Sequence, residues 1–188
     1  MNKMRFFLPV FILLISLAGN SSTIIKCNNA DYAGESLTFY SYTDPVSLAT
    51  KKEFILEIDN TGKCTKTIEI RTMEYVFCDF GLYRGMLFLE PNQTITLKLP
   101  PVREKSYADQ KNPYFVPLSF WFATEDKSQL NNQVSKFTFE LNRITDKYFN
   151  QLYFNQSKNY FDTVQYYIEN EFADVQSEAF EFHKTFSI

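Results

Sequence analysis

Apolar and polar residues alternate with period two through much of the stretch from Thr23 to Leu99. That period marks strands that bury one face. Phe54, Leu56 and Ile58 fall on one side, with Ile55, Glu57 and Asp59 on the other. Beyond the turn composition Asp59-Asn60-Thr61-Gly62, Cys64, Ile68 and Ile70 point inward on a return strand. Ile95, Leu97 and Leu99 do the same on the last strand, with Thr94, Thr96 and Lys98 outward. Thr23–Cys27, Ser36–Tyr42, Tyr75–Phe80 and Met86–Leu89 complete a set of about seven strands. The predicted fold class is α+β: a seven-stranded antiparallel β-sandwich over residues 23–101, then helices. Pro100-Pro101 closes the sandwich. Residues 102–123 are a Pro-punctuated irregular connection, in which Ser119–Phe122 forms an extended piece covering the sheets.

The period then changes. Leu130, Val134, Phe137, Leu141, Ile144, Tyr148 and Leu152 recur at three or four residues, one stripe of an α-helix. Thr124 is placed to cap it, with Glu125 and Asp126 in its first turn. Phe161, Val164, Ile168, Phe172, Val175, Ala179 and Phe182 form a second stripe, and the short break Asn155–Asn159 predicts an antiparallel helix pair within 124–188. Phe182 and Phe186 continue the buried stripe, whereas Phe180 falls largely off it. A helix pair on one sheet buries one stripe per helix. Phe180, Phe182, Phe186 and Ile188 are therefore the candidate interface, to be completed by a protein partner or a following domain.

The N-terminus has its own pattern. Lys3 and Arg5 precede the apolar run Phe6–Leu17, which is short for a bilayer span, and small residues follow at Ser16, Ala18, Gly19 and Ser21. Residues 1–22 read as a signal peptide cleaved within Ala18–Ser22, so the protein is exported, periplasmic or secreted. A lipoprotein box requires cysteine where Asn20 stands, which predicts a soluble form and not a lipid-anchored one. The rest of the chain carries no run long enough to span a membrane.

Composition narrows the chemistry. Hydrophobic residues make up 45% of the 188, enough for a core, and aromatics 18%, with 20 Phe and 12 Tyr against one Trp. Such density supplies an aromatic core, and any surplus is a surface for sugars or peptides. The charge of −3 becomes −5 without Lys3 and Arg5, and no basic run exceeds Lys51-Lys52, so nucleic acid is not a partner. With His183 as the single histidine, multi-histidine metal sites and histidine-dependent triads elsewhere are excluded. His183 reads as a solvated residue compensating a helix end. The pairs Glu169/Glu171 and Glu125/Asp126 lack any mark of a carboxylate pair built for hydrolysis. Of the three cysteines none forms CxxC; Cys64 and Cys78, on successive strands, are the candidate disulfide, and the alternative keeps all three as small buried apolar groups. Asp162-Thr163-Val164 matches a short bacterial O-glycosylation acceptor at Thr163. No catalytic, metal-binding or cofactor-binding residue is marked, and no cofactor is expected.

Leu87–Lys105 (LFLEPNQTITLKLPPVREK), Asn112–Pro117 (NPYFVP) and Asp31–Leu37 (DYAGESL) carry a resemblance. Together they resemble uncharacterised exported proteins of gram-negative bacteria. The N-terminal β-sandwich of those proteins is similar to the domain that precedes thioredoxin-like domains in periplasmic redox proteins. The resemblance implies a fold and supplies no site residue, because the redox cysteines of such proteins lie in the later domain. The expected function is an exported, non-catalytic interaction module contacting an envelope protein or glycan. The alternatives are an N-terminal or accessory part of a periplasmic thiol–disulfide protein, and a hydrolase with an unmarked carboxylate pair.

Overall fold

A computed structural model describes residues 21–188, apart from Pro45, Lys127, Ser128, Phe186 and Ile188. The leader pattern lies in residues outside that set. Among the described residues nine strands form two sheets: β1 (Ser22–Asn28), β2 (Ser36–Tyr42), β3 (Thr50–Glu57), β4 (Lys63–Glu69), β5 (Glu74–Phe80), β6 (Tyr83–Leu89), β7 (Thr94–Lys98), β8 (Leu118–Trp121) and β9 (Ala123–Thr124). The helices are α1 (Tyr107–Lys111), α2 (Leu130–Lys147), α3 (Lys158–Glu171) and α4 (Glu178–Thr185), with a 3-10 turn at Ala30–Tyr32 and a π-helical turn at Asn150–Phe154.

The four-stranded sheet has the order β4-β1-β7-β9 and the five-stranded sheet β3-β2-β5-β6-β8. This corrects the expected all-antiparallel array of seven strands. β1 runs parallel to β7 and β6 parallel to β8, because both strands of each pair are joined by long excursions through the other sheet. The sandwich also continues past Pro100-Pro101, since β8 and β9 lie in the stretch expected to be irregular. β8 is the extended piece around Trp121, and it extends the five-stranded sheet at its edge, where it pairs with β6.

The turn at Asp59–Gly62 was expected to join two neighbouring strands of one ladder. Instead it carries the chain between sheets, since β3 pairs with β2 and β4 with β1. Asp59 fastens it by accepting from the Thr61 amide at 2.7 Å and the Lys63 amide at 3.0 Å. Gly62 sits at φ +83°, and a Cβ there would lie 2.5 Å from the Asn29 carbonyl oxygen, so only glycine fits.

Inward residues behave as their alternation predicts. Leu56, Val76, Leu87, Leu89, Ile95 and Phe39 are fully buried between the sheets. A second core lies on the outer face of the five-stranded sheet, where Tyr75, Met86, Phe88 and Trp121 meet Val134, Phe137, Ile168, Phe172 and Phe180 from the helices. The layers are therefore sheet, sheet and helix.

The α2 stripe is buried as expected at Leu130, Val134, Phe137 and Ile144. Its start differs: Thr124 belongs to β9, and Gln129 is the N-cap, its side chain donating to the Thr94 carbonyl at 3.1 Å and not to the helix end. The simple helix pair is also corrected to three helices, since Phe172–Ser177 breaks the second pattern before α4. That break resets the helical phase. Phe180 becomes fully buried and Phe182 is 67% exposed, the reverse of the expected stripe. Among the described residues no helix is long and apolar enough to cross a membrane.

Candidate interaction surfaces

The five-stranded sheet has more aromatic residues facing outward than its helices cover. On its β2–β5 side, Tyr42 stacks on Phe77 with centroids 4.8 Å apart, and Tyr40 lies 6.1 Å from the same ring. Tyr40 and Tyr42 remain half-exposed, whereas Phe77 is buried beneath them. The Arg84 guanidinium lies 4.9 Å above the Phe77 ring. It also donates in a fork to Asp79, from Nε to Oδ1 at 2.6 Å and from Nη2 to Oδ2 at 2.7 Å. Asp79 and Arg84 face each other across the β5–β6 ladder, which fixes the pair. The carboxylate beside it raises the guanidinium pKa further, so Arg84 stays charged at any working pH.

This pair forms one wall of a cleft of about 410 Å³, completed by Tyr83, Glu104, Lys105 and Phe115. Two devices shape it. Gly81, at φ +50°, lets the β5–β6 turn approach the Arg103 carbonyl, where a Cβ would collide. Ser106 and Asp109 form a reciprocal capping box that starts α1, and Gln110 in that helix donates to the Lys105 carbonyl at 3.1 Å. Lys105 then lies 4.4 Å over the Phe115 ring. The cleft thus sets half-buried aromatic rings beside both signs of charge.

No described protein family, curated protein or solved structure matches the chain. The resemblance noted above therefore rests on the quoted residues alone.

The cysteines follow neither the candidate Cys64–Cys78 bridge nor the alternative of three unpaired thiols. Cys27 and Cys64 are direct partners in the β1–β4 ladder, with Cα atoms 5.0 Å apart, and they form the disulfide. Cys64 cannot reach Cys78 across a ladder because β4 and β5 belong to different sheets. Cys78 is a buried thiol whose pKa is pushed up to about 12 by burial, which removes nucleophilic character at neutral pH. Thr163 lies on the exposed side of α3 and its hydroxyl donates to the Asn159 carbonyl at 2.7 Å. Of the candidate interface residues, Phe180 belongs to the chain's own core and Phe182 is exposed; Phe186 and Ile188 lie outside the described residues. Among the described residues no three His, Cys, Asp or Glu side chains gather as a metal-ligand set.

His183 also departs from expectation. Its ring lies 5.4 Å from Trp121, 5.6 Å from Phe137 and 6.5 Å from Phe88 in edge-on contacts. Burial lowers its pKa, since the imidazolium loses hydration there. Position near the end of a chain suggested solvent; the three-ring cage becomes visible only once α4 is laid on the sheet.

Two asparagines went unread in the sequence. Asn131, 2% exposed, accepts from the Phe88 amide at 2.7 Å and donates to the Phe88 carbonyl at 2.8 Å. β8 pairs with β6 only as far as Met86, so Asn131 supplies the bonds that a longer strand would have made. Asn132 does likewise for Thr124 in the other sheet, accepting from its amide at 3.0 Å and donating to its carbonyl at 3.1 Å. The first turns of α2 thereby clasp both sheets. The only signal in the sequence is an Asn-Asn pair inside a helical pattern, where asparagine is a poor helix former.

Proposed function

We propose that this protein is an exported, non-catalytic interaction module that engages an envelope glycan at the cleft beside the β5–β6 hairpin. The observation that carries the reading is the joining of the Arg84–Asp79 fork to the half-buried rings of Tyr83 and Phe115. A pyranose has an apolar face that stacks on such rings and hydroxyls that bond to a planar guanidinium and to carboxylates. Asp79, Arg84 and Glu104 offer both donors and acceptors around a space of about 410 Å³, which suits one or two sugar units. Export rests on the leader pattern in residues 1–22 and is supported by the Cys27–Cys64 disulfide, a bond favoured in oxidising compartments.

The test is a titration of the exported protein with soluble fragments of envelope glycans, followed by amide chemical shifts. Shifts centred on Tyr83, Arg84 and Phe115 that vanish in Arg84→Ala are expected. Absence of binding across neutral, acidic and amino-sugar fragments would defeat the glycan reading.

A protein partner at the C-terminal helix is the second reading. A crevice of about 670 Å³ runs beside α4 between Met73, Glu90, Ala179 and Phe182, and both Met73 and Phe182 expose apolar surface into it. Capture of a periplasmic protein that depends on Phe182 and not on Arg84 would favour it.

A further inference from the structure

The helical layer ends, where α2 gives way to α3, in a tip whose chemistry differs from the rest of the chain. Residues Lys147–Phe161 include six aromatics, two lysines and no carboxylate, in a protein that is acidic overall. Four of those aromatics stand out from the surface: Phe149 is 45% exposed, Tyr153 67%, Phe154 75% and Phe161 49%.

The exposure is not a product of loose structure. Leu152 is buried with Ile144 and Val164, and Tyr148 packs on Tyr160 at 5.0 Å, so a small core supports the turn from below. The π-helical turn Asn150–Phe154 sets the phase that puts Leu152 inward and Tyr153 and Phe154 outward. The outward rings are already arranged, with Phe149 stacked on Tyr153 at 4.7 Å and in edge contact with Phe154 at 5.8 Å. A side chain that is already ordered loses little entropy on docking.

We propose that this tip is a membrane-docking element that inserts Phe149, Tyr153, Phe154 and Phe161 into the interfacial region of a phospholipid bilayer. Three features select lipid over a protein partner. The rings project from a turn between helices and line neither the Arg84 cleft nor the α4 crevice, and a fluid bilayer accepts a protruding apolar knob without a complementary pocket. Their neighbours are Asn150, Gln151, Asn155, Gln156 and Asn159, amides that remain hydrated at headgroup depth. The charges do not oppose a lipid surface. Lys147 and Lys158 are balanced by Asp146 and Asp162, which bracket the tip, and no carboxylate lies between those two; Lys147 lies over the Tyr148 ring and Lys158 pairs with Asp162. The aromatics therefore supply most of the affinity.

Co-sedimentation of the exported protein with vesicles of phosphatidylethanolamine and phosphatidylglycerol tests this. Wild type is compared with Tyr153→Ser/Phe154→Ser, and with Tyr114→Ser as a control for an exposed aromatic elsewhere. All three share one N-terminus, so differences report the tip and not the leader. The tip variant should lose about tenfold or more in partition coefficient while the control is unchanged, and raising salt should weaken wild-type binding only modestly. Because the mutated rings are exposed, the melting temperature should hold in both variants. Phe154→Trp should show a blue shift in fluorescence on vesicles that brominated lipid quenches. Equal partitioning of wild type and tip variant would overturn the proposal, as would failure of wild type to bind. So would a tip variant that abolishes self-association seen by light scattering in the absence of lipid, which would assign the tip to a second copy of the chain.

Discussion

The two sheets of this sandwich share an inner core but differ on their outer faces. Outward from the four-stranded sheet stand Lys26, Thr65, Thr67, Glu69, Thr94 and Lys98, all exposed. Outward from the five-stranded sheet stand Tyr75, Phe77, Met86, Phe88 and Trp121, over which the helices pack on one side and Tyr40 and Tyr42 lean on the other. The difference is written in the strands themselves. TITLK alternates strictly, as a strand wet on one face should, whereas EYVFCDF and YRGMLFL are nearly continuous in apolar residues. Two dry interfaces, one between sheets and one under helices, hold a large share of the aromatic residues. Others stand at the surface, and both proposed sites use them.

The comparison can be broken most severely at the inner core. Leu56 is fully buried opposite Leu37, and Leu97 is 3% exposed. Leu56→Asp and Leu97→Asp should each prevent folding, since an unpaired carboxylate in that space costs several kcal/mol, on the order of the whole stability. Glu57→Lys, one residue from Leu56, and Thr67→Lys, two strands from Leu97, both on wet faces, should stay within about 0.5 kcal/mol of wild type. Soluble yield and urea midpoints decide it; a tolerated Leu56→Asp would mean the strand register is wrong.

Next in size is the second core. Phe137 is fully buried and meets Phe172, Phe180 and His183 at once. Phe137→Ala should cost about 3–5 kcal/mol, comparable to a large truncation between the sheets. If the loss is under about 1 kcal/mol, the helical layer is not integral to the fold and the two interfaces are unequal partners.

A smaller effect tests the clasp between them. Asn131→Leu keeps the approximate volume but frees both backbone groups of Phe88, at roughly 1–3 kcal/mol for each group left dry. Hydrogen exchange should then accelerate at the Phe88 amide while the Val76 amide, deep in the inner core, changes less. Uniform acceleration would show that Asn131 supports global stability and not the local edge.

These cases show which parts of the structure could be read beforehand. Burial of single residues was legible wherever the period was clean: the inward residues of β3, β4 and β7, and the α2 stripe from Leu130 to Ile144. Pairing was not, because alternation says which side a residue faces and nothing about which strand lies beside it. That is why the bridge was sought between Cys64 and Cys78, when β1 lies beside β4 and offers Cys27. Phase errors were also invisible where a helix breaks, so Phe180 and Phe182 exchanged roles beyond Phe172–Ser177. The cleft at Arg84 needed the fold, since Lys105 and Phe115 meet the hairpin only after α1 turns the chain.

The smallest expected effect concerns His183, the titrating group inside the aromatic layer. Burial among Trp121, Phe137 and Phe88 holds its folded pKa below the ordinary 6.5. The unfolded chain therefore binds a proton at a pH where the folded chain still refuses one. The stabilising effect of a neutral His183 is fully present above about pH 7, and it is lost as pH falls through 6.5 toward the folded pKa. Below the folded pKa both states are protonated and the dependence levels off. Carboxylates such as Glu53, whose pKa is lowered chiefly by the Ser41 hydroxyl, act in a separate and more acidic window. Urea midpoints measured from about pH 7.5 down to about pH 5.5 should therefore decline in wild type and stay flatter in His183→Phe, which keeps a ring in the cage without a titrating group. The readout is the difference in slope, so any change in absolute stability from repacking does not enter. Equal slopes would place His183 in solvent and would remove α4 from the dry layer, leaving the outer face of the five-stranded sheet half as covered as the geometry of α4 requires.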